Sequence, residues 1–141
     1  MALIDDLKKH EGFRSTAYKC SEGYDTIGHG FAIKDLVLSK EISTLILSEK
    51  LLELQTNINK KFDWFKDSPQ DVQDVVTNMC YQLGISGFSK FKKTIYYLET
   101  EQYEEASDEM LDSLWKKQTP TRANELSDII RSLDGHNTSS N

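Results

Sequence analysis

The sequence predicts an α+β domain, predominantly helical, with a small β-hairpin lobe and a larger helical lobe. Three observations lead there. Two short β-prone stretches near the N-terminus flank a turn, Ser21-Glu22-Gly23. Beyond residue 48 the apolar side chains step by three and four, the period of an amphipathic helix. Hydrophobic residues make up 38% of 141 positions and aromatics 10%, enough for a packed core and against a disordered chain.

Each element has its own signal. Leu3, Ile4 and Leu7 form one stripe of a first helix, which ends at Glu11 because Gly12 follows as a C-terminal glycine. "STAYKC" and "YDTIG" read as two strands joined by "SEG", and "FAIKD" as a possible third. From "SEKLLELQTNINK" the chain turns helical, with Ser48 as a cap and Leu51, Leu52, Leu54 and Ile58 as a partial stripe. Pro69 fits a first helical turn behind the capping candidate Ser68. The next helix has the strongest period: Val72, Val75, Val76, Met79, Cys80 and Leu83, closed by Gly84. Three helices follow, "FSKFKKTIYYLET", "QYEEASDEMLDSLWKK" and "TPTRANELSDIIRSL", the last with Thr119 as cap and Pro120 at its first position. The expected organisation is a single domain over 1–135 with a disordered tail at 136–141. Its β-lobe covers about 13–47; its helical lobe takes 1–12 plus about 60–135, joined by a helix over about 48–60.

Charge and composition exclude several functions. A net charge of −6 argues against a general nucleic-acid binder, and against steering toward anionic cell-wall polymers. "MALIDDLKKH" lacks the apolar run of a secretory signal, and no stretch approaches the roughly 20 apolar residues of a membrane span. Synthesis in the cytosol is the expectation, with Cys20 and Cys80 as free thiols. His10, His29 and His136 show no metal-ligand spacing, and Gly28-x-Gly30 is too short for a dinucleotide fingerprint. "SKFKK" reads as a solvated basic face, Trp64 and Trp115 as core or rim, and Cys80 as core.

Three residues could carry chemistry. At a helix C-terminus the macrodipole's negative end disfavours an ionised carboxylate, and a protonated glutamate is what a general acid needs; Glu11 sits there. Position alone still favours an ordinary solvated glutamate. If Thr26 faces the site, alternation along the strand turns Asp25 and Ile27 the other way, which weakens Asp25 as a second carboxylate. A threonine hydroxyl can hold a water and a thiolate can take its proton; taken alone, Cys20 reads more readily as a small buried hydrophobe.

The segment "HEGFRSTAYKCSEGYDTIGHG" resembles the active-site segment of the T-even-phage-type lysozymes, whose signature is Glu, eight residues, Asp or Cys, five residues, Thr. Glu11, Cys20 and Thr26 satisfy both gaps. The likeness returns at "NMCYQLGISGF" and "LWKKQTPTRA", and fails around residues 34 to 68, where this chain is shorter than familiar members. The resemblance implies a lysozyme-like fold and an endolysin that hydrolyses the β-1,4 bond between N-acetylmuramic acid and N-acetylglucosamine in bacterial peptidoglycan. It implies Glu11 as general acid, with Cys20 and Thr26 activating water. Glu22 would touch saccharide or peptide; Ala32, Tyr81, Thr94 and Glu109 fall at sugar-contacting positions; Arg122 matches an arginine that approaches the glutamate. It implies no metal or cofactor, a monomer that does not insert in membranes, and action on the periplasmic wall after a separate holin-like partner permeabilises the membrane. Two features depart from the family. "TIGHGF" moves the usual histidine to His29 and puts Phe31 in its slot, and familiar members are basic where this chain carries −6. A lysozyme-like domain that binds glycan or protein without cleavage is the alternative, and a non-hydrolytic lyase using Glu11 alone is a third.

Overall fold

The structure, a computed structural model, describes residues 2–139, with side chains through 134. The tail read over 136–141 lies outside the residues whose side chains are described. The architecture is α+β and predominantly helical, as predicted: among the described residues, seven α-helices accompany one three-stranded antiparallel sheet. The chain divides into two compact units, Met1–Leu45 and Ile46–Asn141.

The first unit holds α1 (Ala2–Glu11), β1 (Arg14–Lys19), β2 (Asp25–Gly28), β3 (Phe31–Ala32) and a 3₁₀ turn at Ile33–Asp35. The sheet order is β1-β2-β3. Tyr18 pairs with Thr26 and Lys19 with Asp25, while Thr26 on its other side pairs with Ala32. An irregularity between Arg14 and Tyr18 shifts the β1 register. The hairpin turn closes where the Gly23 N–H donates to the Cys20 carbonyl at 2.9 Å. "FAIKD" gives only two strand residues before the chain coils into the 3₁₀ turn.

α2 (Lys40–Lys61) begins in the first unit and ends in the second. It starts well ahead of the predicted Ser48, because Ser39 supplies the cap: its Oγ accepts the Ile42 N–H at 3.1 Å. Of the predicted stripe, Ile58 is buried and Leu54 partly so, but Leu52 is exposed.

The second unit contains α3 (Gln70–Phe88), α4 (Lys92–Glu99), α5 (Tyr103–Leu111), α6 (Leu114–Gln118) and α7 (Pro120–Ser139). α7 packs against α3, α5 and α6, and α5 also packs on α4. Val72, Val75, Val76, Met79 and Cys80 are buried as the period of α3 predicts, together with Phe65, Phe88, Met110 and Ile130. Each fully buried side chain of the Val or Phe kind contributes about 1.5–3 kcal/mol. Gly84 interrupts α3 with φ 76°, ψ 160°, a region only glycine occupies comfortably, so the predicted stop stands as a kink. Ser68 does not cap α3; its hydroxyl donates to the Trp64 carbonyl at 2.8 Å, and Pro69 occupies the cap position. The single helix expected over 102–117 breaks into α5 and α6. Ser113 makes the break by donating to the Met110 carbonyl at 2.6 Å and accepting the Lys116 N–H at 3.2 Å.

Candidate functional site

In the first unit the site is built from the end of α1 and the sheet. Gly12, at φ 71°, takes the left-handed conformation and its N–H closes the helix on the Lys8 carbonyl at 2.9 Å. That stop leaves Glu11 as the last helical residue, with its side chain exposed. The carboxyl lies against the β2–β3 turn: a Cβ on Gly30 would come within 2.7 Å of Glu11 Oε2. Gly30 is at φ 78°, and this left-handed backbone calls for glycine; the facing atom is the end of the exposed Glu11 side chain, which can move aside.

His29, which shows no metal-ligand spacing and stands displaced from its usual slot, fastens this turn. Its Nδ1 stands 2.8 Å from the Gly12 carbonyl oxygen, so that nitrogen carries the proton and donates. The ring lies between Phe13 and Phe31, at centroid distances of 5.2 and 6.3 Å. Phe31, the newcomer in the histidine slot, thus helps hold the histidine that moved.

Thr26 is buried on β2, and its hydroxyl donates to the Tyr24 carbonyl at 3.0 Å, so toward other groups its oxygen can act only as an acceptor. Asp25 is exposed and pairs with Lys19 at 2.8 Å, in keeping with strand alternation. Ala32, as the register partner of Thr26, sits beside it. Cys20 follows β1 and is partly exposed. Its thiol is held below the ordinary value of 9.0, chiefly by the backbone of Tyr24 and then of Glu22 hydrogen-bonding the sulfur. Thr26 adds a smaller effect, while partial desolvation and the Glu22 charge oppose it. The Thr26 hydroxyl has one proton, and with that proton on the Tyr24 carbonyl the two backbone groups carry the stabilisation. Glu22 therefore contributes its main chain to the thiol site and its carboxylate to the turn's surface.

The remaining predicted positions lie in the second unit. Thr94 and Glu109 share one groove of about 610 Å³, floored by Leu83, Phe91 and Trp115. Trp115 is held there by its indole N–H donating to Gln82 Oε1 at 2.9 Å. Tyr81 is 51% exposed and lines a separate cavity of about 260 Å³ with Asn57, Glu53 and Cys80. Arg122 donates through Nε to Asn78 Oδ1 at 2.8 Å and through Nη2 to the Asn78 carbonyl at 3.2 Å. Sequence reasoning named His29 and Gly30 without giving them a part in the site, and gave none to Asn78 or Gln82. A glycine at a tight turn next to a histidine was the available signal for the first two; nothing local marks the others.

The helix end, the hairpin and the helical unit define a phage-lysozyme type of domain. The family model described as phage lysozyme matches residues 8–131, and the chain belongs to that family. Among curated relatives, the probable T4-type lysozyme 1 of Dictyostelium discoideum is 29% identical over 158 aligned positions, covering 92% of this chain and 93% of the relative. The probable T4-type lysozyme 2 of the same organism is 28% identical over similar coverage. The pre-baseplate central spike protein Gp5 of Enterobacteria phage T4 is also 28% identical, over 92% of this chain but 28% of its own length. The chain is therefore a T4-type phage lysozyme by family, and lysozyme-like in function.

Proposed function

We propose that this protein is a bacteriolytic muramidase that hydrolyses the β-1,4 bond between N-acetylmuramic acid and N-acetylglucosamine of bacterial peptidoglycan. The observation that carries this reading is the thiol site: a partly exposed Cys20, its pKa lowered by the backbone of Tyr24 and Glu22, beside the Thr26 hydroxyl. In the proposed reaction Glu11 gives its proton to the glycosidic oxygen as the bond from that oxygen to C1 breaks. A water held by Thr26 forms the new bond to C1, and its proton passes to the Cys20 thiolate. Return of that proton to Glu11 restores both groups. Ala32 and Glu22 flank the reacting sugar in this reading, and Tyr81, Thr94 and Glu109 meet the glycan elsewhere. Arg122 is oriented by its hydrogen bond to Asn78. Action on the periplasmic wall follows membrane permeabilisation by a separate holin-like partner, and the enzyme works as a monomer. Among the described residues no helix is long and apolar enough to cross a membrane.

The test is loss of turbidity of outer-membrane-permeabilised bacteria by wild type and Glu11→Gln. Wild type clears the suspension and the variant slows at least about 100-fold, the lower end for a lost general acid. Equal clearing by both removes Glu11 from the chemistry. No clearing by either favours the glycan-binding alternative.

A further inference from the structure

We propose that His29 is a positioning residue for the general acid: by tying the β2–β3 turn to the end of α1, it fixes where the Glu11 carboxyl stands. The inference rests on Glu11 acting as the acid of the muramidase reading.

Glu11 does not hold itself. Its side chain is exposed and turns about its own torsions, and the surface it rests on is the Gly30 backbone. A Cβ added to Gly30 would stand 3.3 Å from the Glu11 carboxyl carbon and 3.4 Å from the Glu11 Cβ. Where the turn goes, the carboxyl goes. The turn is loose by composition: between the paired residues Ile27 and Phe31 it reads Gly28-His29-Gly30, with both glycines left-handed at φ 68° and 78°. Glycine has the most backbone freedom to lose on folding, so such a loop needs a contact that settles it in one place.

His29 makes that contact. Its Nδ1 donates to the Gly12 carbonyl at 2.8 Å. Gly12 lies beyond the last residue of α1, so the helix does not use that carbonyl. The ring is partly buried, and Phe13 and Phe31 flank it at centroid distances of 5.2 and 6.3 Å, which sets the direction of its N–H. The hydrogen bond closes a circuit. Glu11 is bonded to Gly12, Gly12 is held by His29, His29 is bonded to Gly30, and Gly30 lies back against Glu11.

Other roles for this histidine leave different marks. A histidine that only stabilised the turn would change the melting temperature and leave turnover alone in folded protein. One that touched the sugar would change KM. A positioning residue acts through Glu11 in the transition state, so its loss lowers kcat with KM little changed.

The experiment compares full-length wild type, His29→Leu, His29→Ser and His29→Asn on soluble peptidoglycan fragments, below the melting temperature of each. Leucine carries no donor and the serine hydroxyl is too short to reach, whereas asparagine places its Nδ2 where histidine has Nδ1. His29→Leu and His29→Ser are expected to lose about tenfold in kcat, the upper end for one hydrogen bond, with KM within about twofold of wild type. His29→Asn should recover most of kcat. An independent readout is the nuclear Overhauser contact between the Gly30 Cα protons and the Glu11 side chain. It should be present in wild type and His29→Asn and lost in the other variants. Wild-type kcat in both His29→Leu and His29→Ser overturns the proposal. So does a raised KM with kcat unchanged, or an Overhauser contact that survives both substitutions. Glu11→Gln separates this proposal from the reading it rests on. If Glu11→Gln is inactive while His29→Leu turns over as wild type does, the positioning role falls and the muramidase reading stands. If Glu11→Gln cleaves as fast as wild type, the muramidase reading falls, and the Overhauser contact alone decides whether His29 holds the Glu11 side chain.

Discussion

Cys20 and Cys80 are the same chemical group in opposite surroundings. Backbone hydrogen bonds from Tyr24 and Glu22 hold the Cys20 thiol below its ordinary value of 9.0, whereas burial pushes Cys80 up to about 12. Native protein should therefore take up one alkyl group per chain from iodoacetamide, at Cys20, with a second after denaturation; mass spectrometry reads both. The reacting species at Cys20 is the thiolate, which grows as pH rises through its pKa. Both the alkylation rate and the wall-clearing rate should then climb with pH, with a midpoint below 9.0. Cys20→Asp is expected to keep substantial activity and to move the rising limb to the carboxylate range near ~4. Cys20→Ala should lose about 100-fold or more. An alanine variant that clears as fast as wild type would show that position 20 takes no proton.

At the scale of elements, the β2–β3 turn decides where the Glu11 carboxyl rests. Gly30→Ala strains a left-handed backbone by about 1–2 kcal/mol and displaces the Glu11 carboxyl, whose Oε2 the added Cβ would otherwise meet at 2.7 Å. It should lower the melting temperature and depress clearing together. His29→Asn can keep a donor facing the Gly12 carbonyl, while His29→Leu removes one hydrogen bond, worth about 0.5–1.5 kcal/mol. Thermal denaturation should place His29→Asn near wild type and His29→Leu below it; the opposite order would mean that the ring's packing on Phe13 and Phe31 matters more than its N–H. The sequence could not foresee this turn, because Gly30 and Glu11 are far apart in the chain and their approach leaves no local mark. Elements whose signals are local were readable: the valine stripe of α3 and the interruption at Gly84, a kink and not the end of the helix, follow from period and glycine chemistry. The start of α2 was not. Ser39 and Ser48 carry equal capping chemistry, and the structure gives the Ile42 N–H to Ser39. The break between α5 and α6 was hidden for a similar reason: Ser113 suits a helix interior until its hydroxyl bonds both flanking turns. The triad signature was legible from spacing alone, but the backbone groups that tune Cys20 become visible only once the hairpin closes.

For the molecule as a whole, the net charge of −6 acts over a distance that salt sets. Repulsion between an acidic protein and an anionic wall is long-ranged and depends on the Debye length, about 30 Å at 0.01 M salt and about 10 Å at 0.1 M. Clearing of permeabilised cells should therefore rise as salt increases from about 0.01 to about 0.1 M. Walls stripped of their anionic polymers should abolish the rise. The measurement is initial clearing rate against salt on both walls. A rate that declines monotonically from the lowest salt would mean that attraction, not repulsion, governs the approach to the wall.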